Sequence, residues 1–225
     1  MVITQTSPPN ITQDITTTHF TLEEYRVMEE TAAERHEYRN GEIIAMAGGS
    51  EVHSAIATNL LVYLGFLLRD SNFRLYNSDL RVWIPEYNCG TYTDLMVVDG
   101  QPQLNGDACG ERSYRTDEIL NPLVIVEVLS PSTEGYDRGD KFRKYRSLPS
   151  FCEYLLVSQT EPYIEHYHKL DDSSDSVRGA SRRELALLQA VRWQWQVYDH
   201  LEQSILLHSL NVEVPLGEVY RRINF

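Results

Sequence analysis

The clearest period in the chain lies just after Ser50. Ile56, Leu60, Tyr63, Leu64, Leu67 and Leu68 recur at three- and four-residue spacing, the apolar stripe of an amphipathic helix. Ser50 can cap its start, and Arg69 sits in its final turn, where a cation suits the helix dipole. Upstream, Thr21 and Glu24 have capping-box spacing, with Phe20 and Tyr25 placed as a hydrophobic staple, so the pattern predicts a short helix over about 22–30. Between the two helices runs RHEYRNGEIIAMAGG. Its Asn40-Gly41 pair predicts an N-terminal β-hairpin with strands near 35–39 and 42–47, because a type I′ turn needs positive φ at both central residues.

Beyond the long helix the period shortens to two. FRLYN, DLRVWIP and TDLMVVDG have strand character, with Leu80, Val82 and Ile84 alternating against Arg81 and Trp83, and are expected to form a meander. Residues 101–118 are polar and read as a loop. LVIVEVLS is a near-continuous Val, Ile and Leu run, the signature of a central strand buried on both faces, which makes Glu127 within it conspicuous. A helix over roughly 137–147 follows, then CEYLLVS as a second buried strand. PYIEHYHK alternates like an edge strand, and DDSSDSVRGAS reads as a flexible loop. Trp193 and Trp195 alternate with polar residues, as in a strand packing one apolar face, and SILLHSL is strand-like. No internal repeat is present. The fold class is α+β, a central mixed β-sheet flanked by helices. The Thr-rich segment 1–18, with Pro8-Pro9, is expected to be a flexible N-terminal arm, and 19–225 a single domain.

Composition narrows the picture. The chain has 225 residues, 33 Asp and Glu against 20 Lys and Arg, and a net charge of −13. That argues against a generic polyanion binder, so a nucleic-acid role needs a local basic surface or bound cations. Arg138, Lys141, Arg143, Lys144 and Arg146 supply a candidate surface; the alternative is a solvated helix face. Cys89, Cys109 and Cys152 are widely separated and form no CxxC pair, which suggests neither a disulfide framework nor a structural zinc cluster and fits a reducing compartment. No signal peptide is evident and no run approaches a spanning helix, so the expected location is cytoplasmic, away from the membrane.

Candidate chemistry gathers at Asp94, Glu127 and Lys141, which fall on the strongest strand and helix signals. A carboxylate in an apolar strand needs a partner or a cation. Two such carboxylates on adjacent strands could share magnesium, which takes one or two protein carboxylates and completes its shell with water and phosphate oxygens. A nearby lysine would then stabilise phosphate charge. The competing reading is a buried Glu127–Lys141 ion pair with Asp94 as a strand-end turn residue. Asp137 and the Ser130–Thr133 stretch read as scaffold that shapes the turn after the central strand. His166 and His168, two apart on a strand, face the same side, but a pair without a third ligand makes no metal pattern.

The succession ERHEYRNGEII, Ser50 to His53, TYTDLMVV and LVIVEVLSPSTEGYDRGDKFRKYRSLPSFCEYLLV resembles the Uma family of endonucleases, over about residues 20–210. That family shares the restriction-endonuclease-like fold, whose nuclease motif is written PD-(D/E)XK. The resemblance implies a divalent-metal-dependent endonuclease, a hydrolase of DNA phosphodiester bonds, using Mg²⁺ or Mn²⁺. It implies Asp94 and Glu127 as metal ligands and Lys141 as the motif lysine. Thr93 stands where the motif has Pro, and Leu129 where it has Lys; Lys141, on the following helix, is the replacement, and lysine's long stem permits the move. Glu37 and His53 match further positions of the family pattern, Glu37 as a metal or water ligand and His53 as a group orienting a carboxylate or water. Their alternatives are an exposed cross-strand partner for a cation and a helix-surface histidine. At the start of a helix the imidazole is expected to be neutral. The expected partner is DNA, and a homodimer would suit cleavage of both strands. The alternative function is a non-catalytic nucleic-acid- or protein-binding module that retains the nuclease fold.

Overall fold

The computed structural model describes residues 19–46, 48–106, 117–170 and 192–225. The expected arm at 1–18 and flexible loop at 171–181 lie outside these residues. Helix α1 (Leu22–Glu29) starts at the capping box: the Thr21 hydroxyl accepts from Glu24 N–H at 3.2 Å, and the Glu24 carboxylate accepts from Thr21 N–H at 2.7 Å. Strands β1 (His36–Arg39) and β2 (Glu42–Ala45) pair antiparallel. The residues between them, Asn40 and Gly41, have φ of 46° and 103°, both in the left-handed region that a tight hairpin turn demands. Helix α2 (Glu51–Leu68) is capped by the Ser50 hydroxyl, which accepts from His53 N–H at 3.0 Å.

The strands that follow are β3 (Phe73–Asn77), β4 (Arg81–Ile84), β5 (Cys89–Tyr92), β6 (Leu95–Asp99), β7 (Glu118–Ile119), β8 (Val124–Leu129), β9 (Glu153–Ser158), β10 (Ile164–Lys169) and β11 (Trp193–Tyr198). They do not form the expected meander. β3 pairs with β6, skipping β4 and β5, which pair with each other in a separate sheet of order β2-β1-β5-β4-β7. β4 buries all four residues, so its alternation does not mark one wet face. β5 escapes a propensity reading because its sequence is CGTY. Its Gly90 lies under the Trp83 ring, where an added Cβ would sit 3.1 Å from the nearest ring carbon. β7 closes that sheet parallel to β4 at the end of the segment read as loop.

The second sheet has the order β11-β10-β9-β8-β6-β3, with β8 and β9 parallel and the other pairs antiparallel. β10 is therefore an interior strand, not an edge. Two of its polar residues are paired internally, Glu165 with Arg138 and His166 with Glu153, which helps an alternating strand sit between two others. Trp193 packs against Phe151 while Trp195 on the same strand is 57% exposed, so only half of that pair joins the core. β12 (Ser204–Leu207), β13 (Val212–Pro215) and a single turn, α5 (Leu216–Val219), complete the described chain.

Each face of the six-stranded sheet carries its own core. On one, α2 buries Ile56, Leu60, Leu64 and Leu68 against Leu95, Val97, Val124 and Val126, and β12, β13 and α5 extend the cover. α2 is long and apolar enough to span a membrane by length and composition, contrary to the expectation for any run in this chain, and its core stripe is instead packed on this sheet. On the other face, Met96, Ile125, Tyr154 and Leu156 meet Phe142, Tyr145 and Phe151, together with Val82, Ile84 and Cys89 from the five-stranded sheet. The helical stretch here is not uniform: α3 (Glu134–Tyr136) passes through a π turn (Asp137–Lys141) into α4 (Phe142–Tyr145). Single π turns of this kind occur often at functional sites, since the extra residue re-aims the side chains around it.

Candidate active site

The sheet register brings the two acids together. β6 and β8 pair antiparallel with Leu95 opposite Val126, so one residue further on Asp94 comes opposite Glu127. Both belong to the parity of Met96 and Ile125, the face covered by the π turn. Asp94 stands immediately before β6, and its Oδ2 is pinned by Val128 N–H at 2.7 Å and by His53 Nε2 at 3.1 Å. His53 reaches it from the first turn of α2, oriented by the Ser50 cap.

Glu127 is buried, with 4% exposure, and its Oε1 accepts from Lys141 Nζ at 2.9 Å and Tyr145 Oη at 3.0 Å. Among the described residues no bond reaches Asp94 Oδ1 or Glu127 Oε2, so each acid keeps one oxygen for another partner. Lys141 Nζ also lies 3.4 Å from Asp137 Oδ1, four residues earlier in the π turn. Glu37 enters from β1 in the neighbouring sheet. It is buried, bonded by Arg39 Nη2 at 2.6 Å and by the Tyr136 hydroxyl, which in turn accepts from Lys144 Nζ at 3.1 Å.

The electrostatics follow from burial and crowding. Burial pushes the Glu127 carboxyl up to about 8; the Lys141 ammonium pulls it back, while the charges of Asp137 and Asp94 push it further up. Burial alone would lower Lys141, but Glu127, Asp137 and Glu37 outweigh it and hold the ammonium charged, above the ordinary lysine value. Burial would raise Glu37 too, yet Arg39, Lys141 and Tyr136 together hold it below the usual glutamate value. His53 is raised by its hydrogen bond to Asp94, against the opposing effect of burial. The direction is opposite to the one a helix N-terminus alone would impose: a carboxylate at hydrogen-bond distance outweighs the helix dipole.

Comparison with known proteins decides the family. The Uma2 profile, described as "Putative restriction endonuclease", matches residues 22–207. The chain belongs to the Uma2 family. It is 41% identical over 204 residues to the uncharacterized protein slr1290 of Synechocystis sp., covering 90% of this chain and 92% of that one. It is 37% identical over 157 residues to the uncharacterized protein sll1609 of the same organism, covering 70% and 85%. Its fold matches a crystal structure described as a putative nuclease belonging to DUF820 from Anabaena variabilis. The TM-score is 0.62 at 15% identity, over 89% of this chain and 97% of the other. The mixed sheet flanked by helices is thus the fold of that structure.

In this Uma2 chain the five residues singled out from sequence fall into two connected groups. His53 bonds Asp94 and Lys141 bonds Glu127, the strand register sets these two pairs side by side, and Glu37 lies beyond Lys141, near enough to act on it through charge. Glu37 is buried, which removes the reading of an exposed cross-strand partner. Asp137 is the residue that sequence reasoning missed. Read as turn scaffold, it is 4% exposed and makes a third carboxylate beside Lys141. The available signal was its i,i+4 spacing to Lys141, a helix-neighbour distance. The basic surface expected over 138–146 is smaller than the sequence suggests: Lys141 and Lys144 are buried and Arg138 is paired with Glu134 and Glu165, while Arg143, beside Asp140, and Arg146, over the Phe142 ring, are exposed.

Proposed function

We propose that this protein is a divalent-metal-dependent endonuclease that hydrolyses DNA phosphodiester bonds, with Asp94 and Glu127 as ligands for Mg²⁺ or Mn²⁺. The observation that carries the reading is the register that sets Asp94 opposite Glu127, each with one oxygen free, beside the Lys141 ammonium. The donor set suits a hard cation. Magnesium is usually held by one or two carboxylates, with waters and substrate phosphates filling the remaining positions. Among the described residues no three His, Cys, Asp or Glu side chains converge on one point, in keeping with a site of two ligands.

When bound, the cation supplies Lewis-acid chemistry at the scissile phosphate and acidifies water. The chain's own residues do the rest. Lys141, charged and fixed between Glu127 and Asp137, offers its remaining donor to a phosphoryl oxygen and stabilises charge that grows there during in-line attack. Tyr145 and Val128 N–H fix the two carboxylates in one orientation, which lowers the reorganisation needed at the moment of reaction. His53, through Asp94, sets which carboxylate oxygen stays free. Glu37 adds negative charge behind Lys141 and keeps it protonated. Asp137 does the same from the π turn.

The test is a calorimetric titration of Mg²⁺ into wild type, Asp94→Ala and Glu127→Ala. A saturable site lost in both variants is expected; no saturable site in wild type, with or without a non-hydrolysable oligonucleotide, removes the metal reading. A second reading, a non-catalytic binding module, is favoured by the net charge of −13 together with the internal pairing of Arg138 and Arg143. It predicts tolerance of Asp94→Asn in whatever binding is measured.

A further inference from the structure

The face of the six-stranded sheet opposite the Asp94–Glu127 pair carries a second polar cluster. Glu153, at the start of β9 and 1% exposed, accepts from His166 Nε2 at 3.0 Å, from the backbone N–H of His208 at 2.7 Å and of Ser209 at 3.0 Å, and from the Ser209 hydroxyl. Burial opposes its charge, but these bonds hold it below the usual glutamate value. They fasten the end of β12 onto β9 and β10.

Three imidazoles gather there. His166 and His168 are two apart on β10, and both are buried. The exposed His208 lies against His168 with ring centres 4.0 Å apart and planes tilted by 30°, while His166 lies 5.4 Å from His168 and 6.1 Å from His208. The Nδ1 atoms of His166 and His168 are both buried and make no hydrogen bond. A buried nitrogen left unpaired costs about 1–3 kcal/mol, and two side by side call for a partner.

We propose that His166, His168 and His208 form a binding site for a borderline transition-metal cation of the zinc type, with Glu153 as the carboxylate that orients His166. A carboxylate that accepts one ring N–H of a histidine fixes its tautomer and leaves the other nitrogen's lone pair free to ligate, which is the usual outer support of an imidazole–metal bond. Imidazole suits zinc, copper and nickel, and does not suit magnesium. With metal–nitrogen bonds of about 2.1 Å in a tetrahedral shell, ring centres around one ion stand roughly 5–5.5 Å apart. The His166–His168 separation already fits, and His166–His208 is slightly long. The tilted His168–His208 pair is about 1 Å too close, and no three donors converge as the rings stand. His208 is exposed, so a turn of its ring away from His168 would complete the set. Such an ion would tie β12 to β10 and act independently of the Asp94–Glu127 pair.

The experiment is a zinc titration of the full chain against a chromogenic chelator, with thermal unfolding measured in parallel. Asp94→Asn removes the other candidate site, and His208→Ala alters only an exposed ring. The proposal expects Asp94→Asn to keep one saturable zinc site and to unfold at a higher temperature with zinc than without. His208→Ala in the same background should weaken that site by about tenfold or more while its metal-free unfolding temperature stays unchanged. Absence of saturable zinc binding in Asp94→Asn, or a smaller loss of affinity in His208→Ala, overturns the proposal. Competition by millimolar Mg²⁺ would also overturn it, since a hard cation has no claim on three imidazoles.

Discussion

Proton and cation compete for the same carboxylate at Glu127. Burial and the charges of Asp137 and Asp94 lift that carboxyl to about 8 despite Lys141, so near neutral pH the group must lose a proton before it can ligate. Below that value Mg²⁺ affinity should fall about tenfold per pH unit. Down to pH 6 the loss is about a hundredfold, roughly 3 kcal/mol. The perturbation is therefore pH itself, and the assay is calorimetry at pH 6, 7, 8 and 9 in two buffers of different ionisation enthalpy. Release of close to one proton per ion is expected at pH 6 and almost none at pH 9. Asp137→Asn removes one of the charges that raise Glu127, so the break in the affinity profile should move to lower pH. Affinity that is flat from pH 6 to 9 with no proton release would refute the assignment of Glu127 as a ligand.

Leu60 is 1% exposed in the α2 core, so Leu60→Ala should cost about 2–5 kcal/mol in urea unfolding; a loss under 1 kcal/mol would contradict the packing described. His53, raised by Asp94, contributes stability that is fully present below the ordinary histidine value and is lost as pH rises through the folded one. The destabilisation caused by His53→Ala should thus be larger at pH 6 than at pH 9, as read from paired denaturation curves. Glu153→Ala leaves His166, Ser209 and the His208 N–H without their acceptor, and faster hydrogen exchange confined to β12 and the following turn should report it.

Local signals carried most of the elements. The capping box of α1, the Asn40-Gly41 turn and the 3.6-residue stripe of α2 each act within a few residues, and the structure places those elements within a residue or two of expectation. Pairing was not legible, because it depends on which faces bury. β3 crosses to β6 over two intervening strands, and β10 moves inside the sheet once Arg138 and Glu153 pair with two of its polar residues. The same distinction holds at the site. Glu127 stood out as an acid in an apolar run, whereas Asp137 is unremarkable until the π turn lies over β8. The nearness of His208 to the histidine pair was not legible either, because it follows β12, distant in sequence and adjacent only after folding. The run of cations over 138–146 looked like a phosphate-binding face because sequence shows charge without showing its partners.

The central claim is tested most directly by cleavage itself. Supercoiled and linear DNA would be incubated with wild type, Asp94→Asn and Lys141→Ala in Mg²⁺, in Mn²⁺ and in excess chelator. Nicking or linearisation by wild type that needs the divalent ion and disappears in both variants is the predicted result. Cleavage that survives chelation, or that proceeds at the wild-type rate in Lys141→Ala, would contradict the account, as would intact DNA under every metal condition.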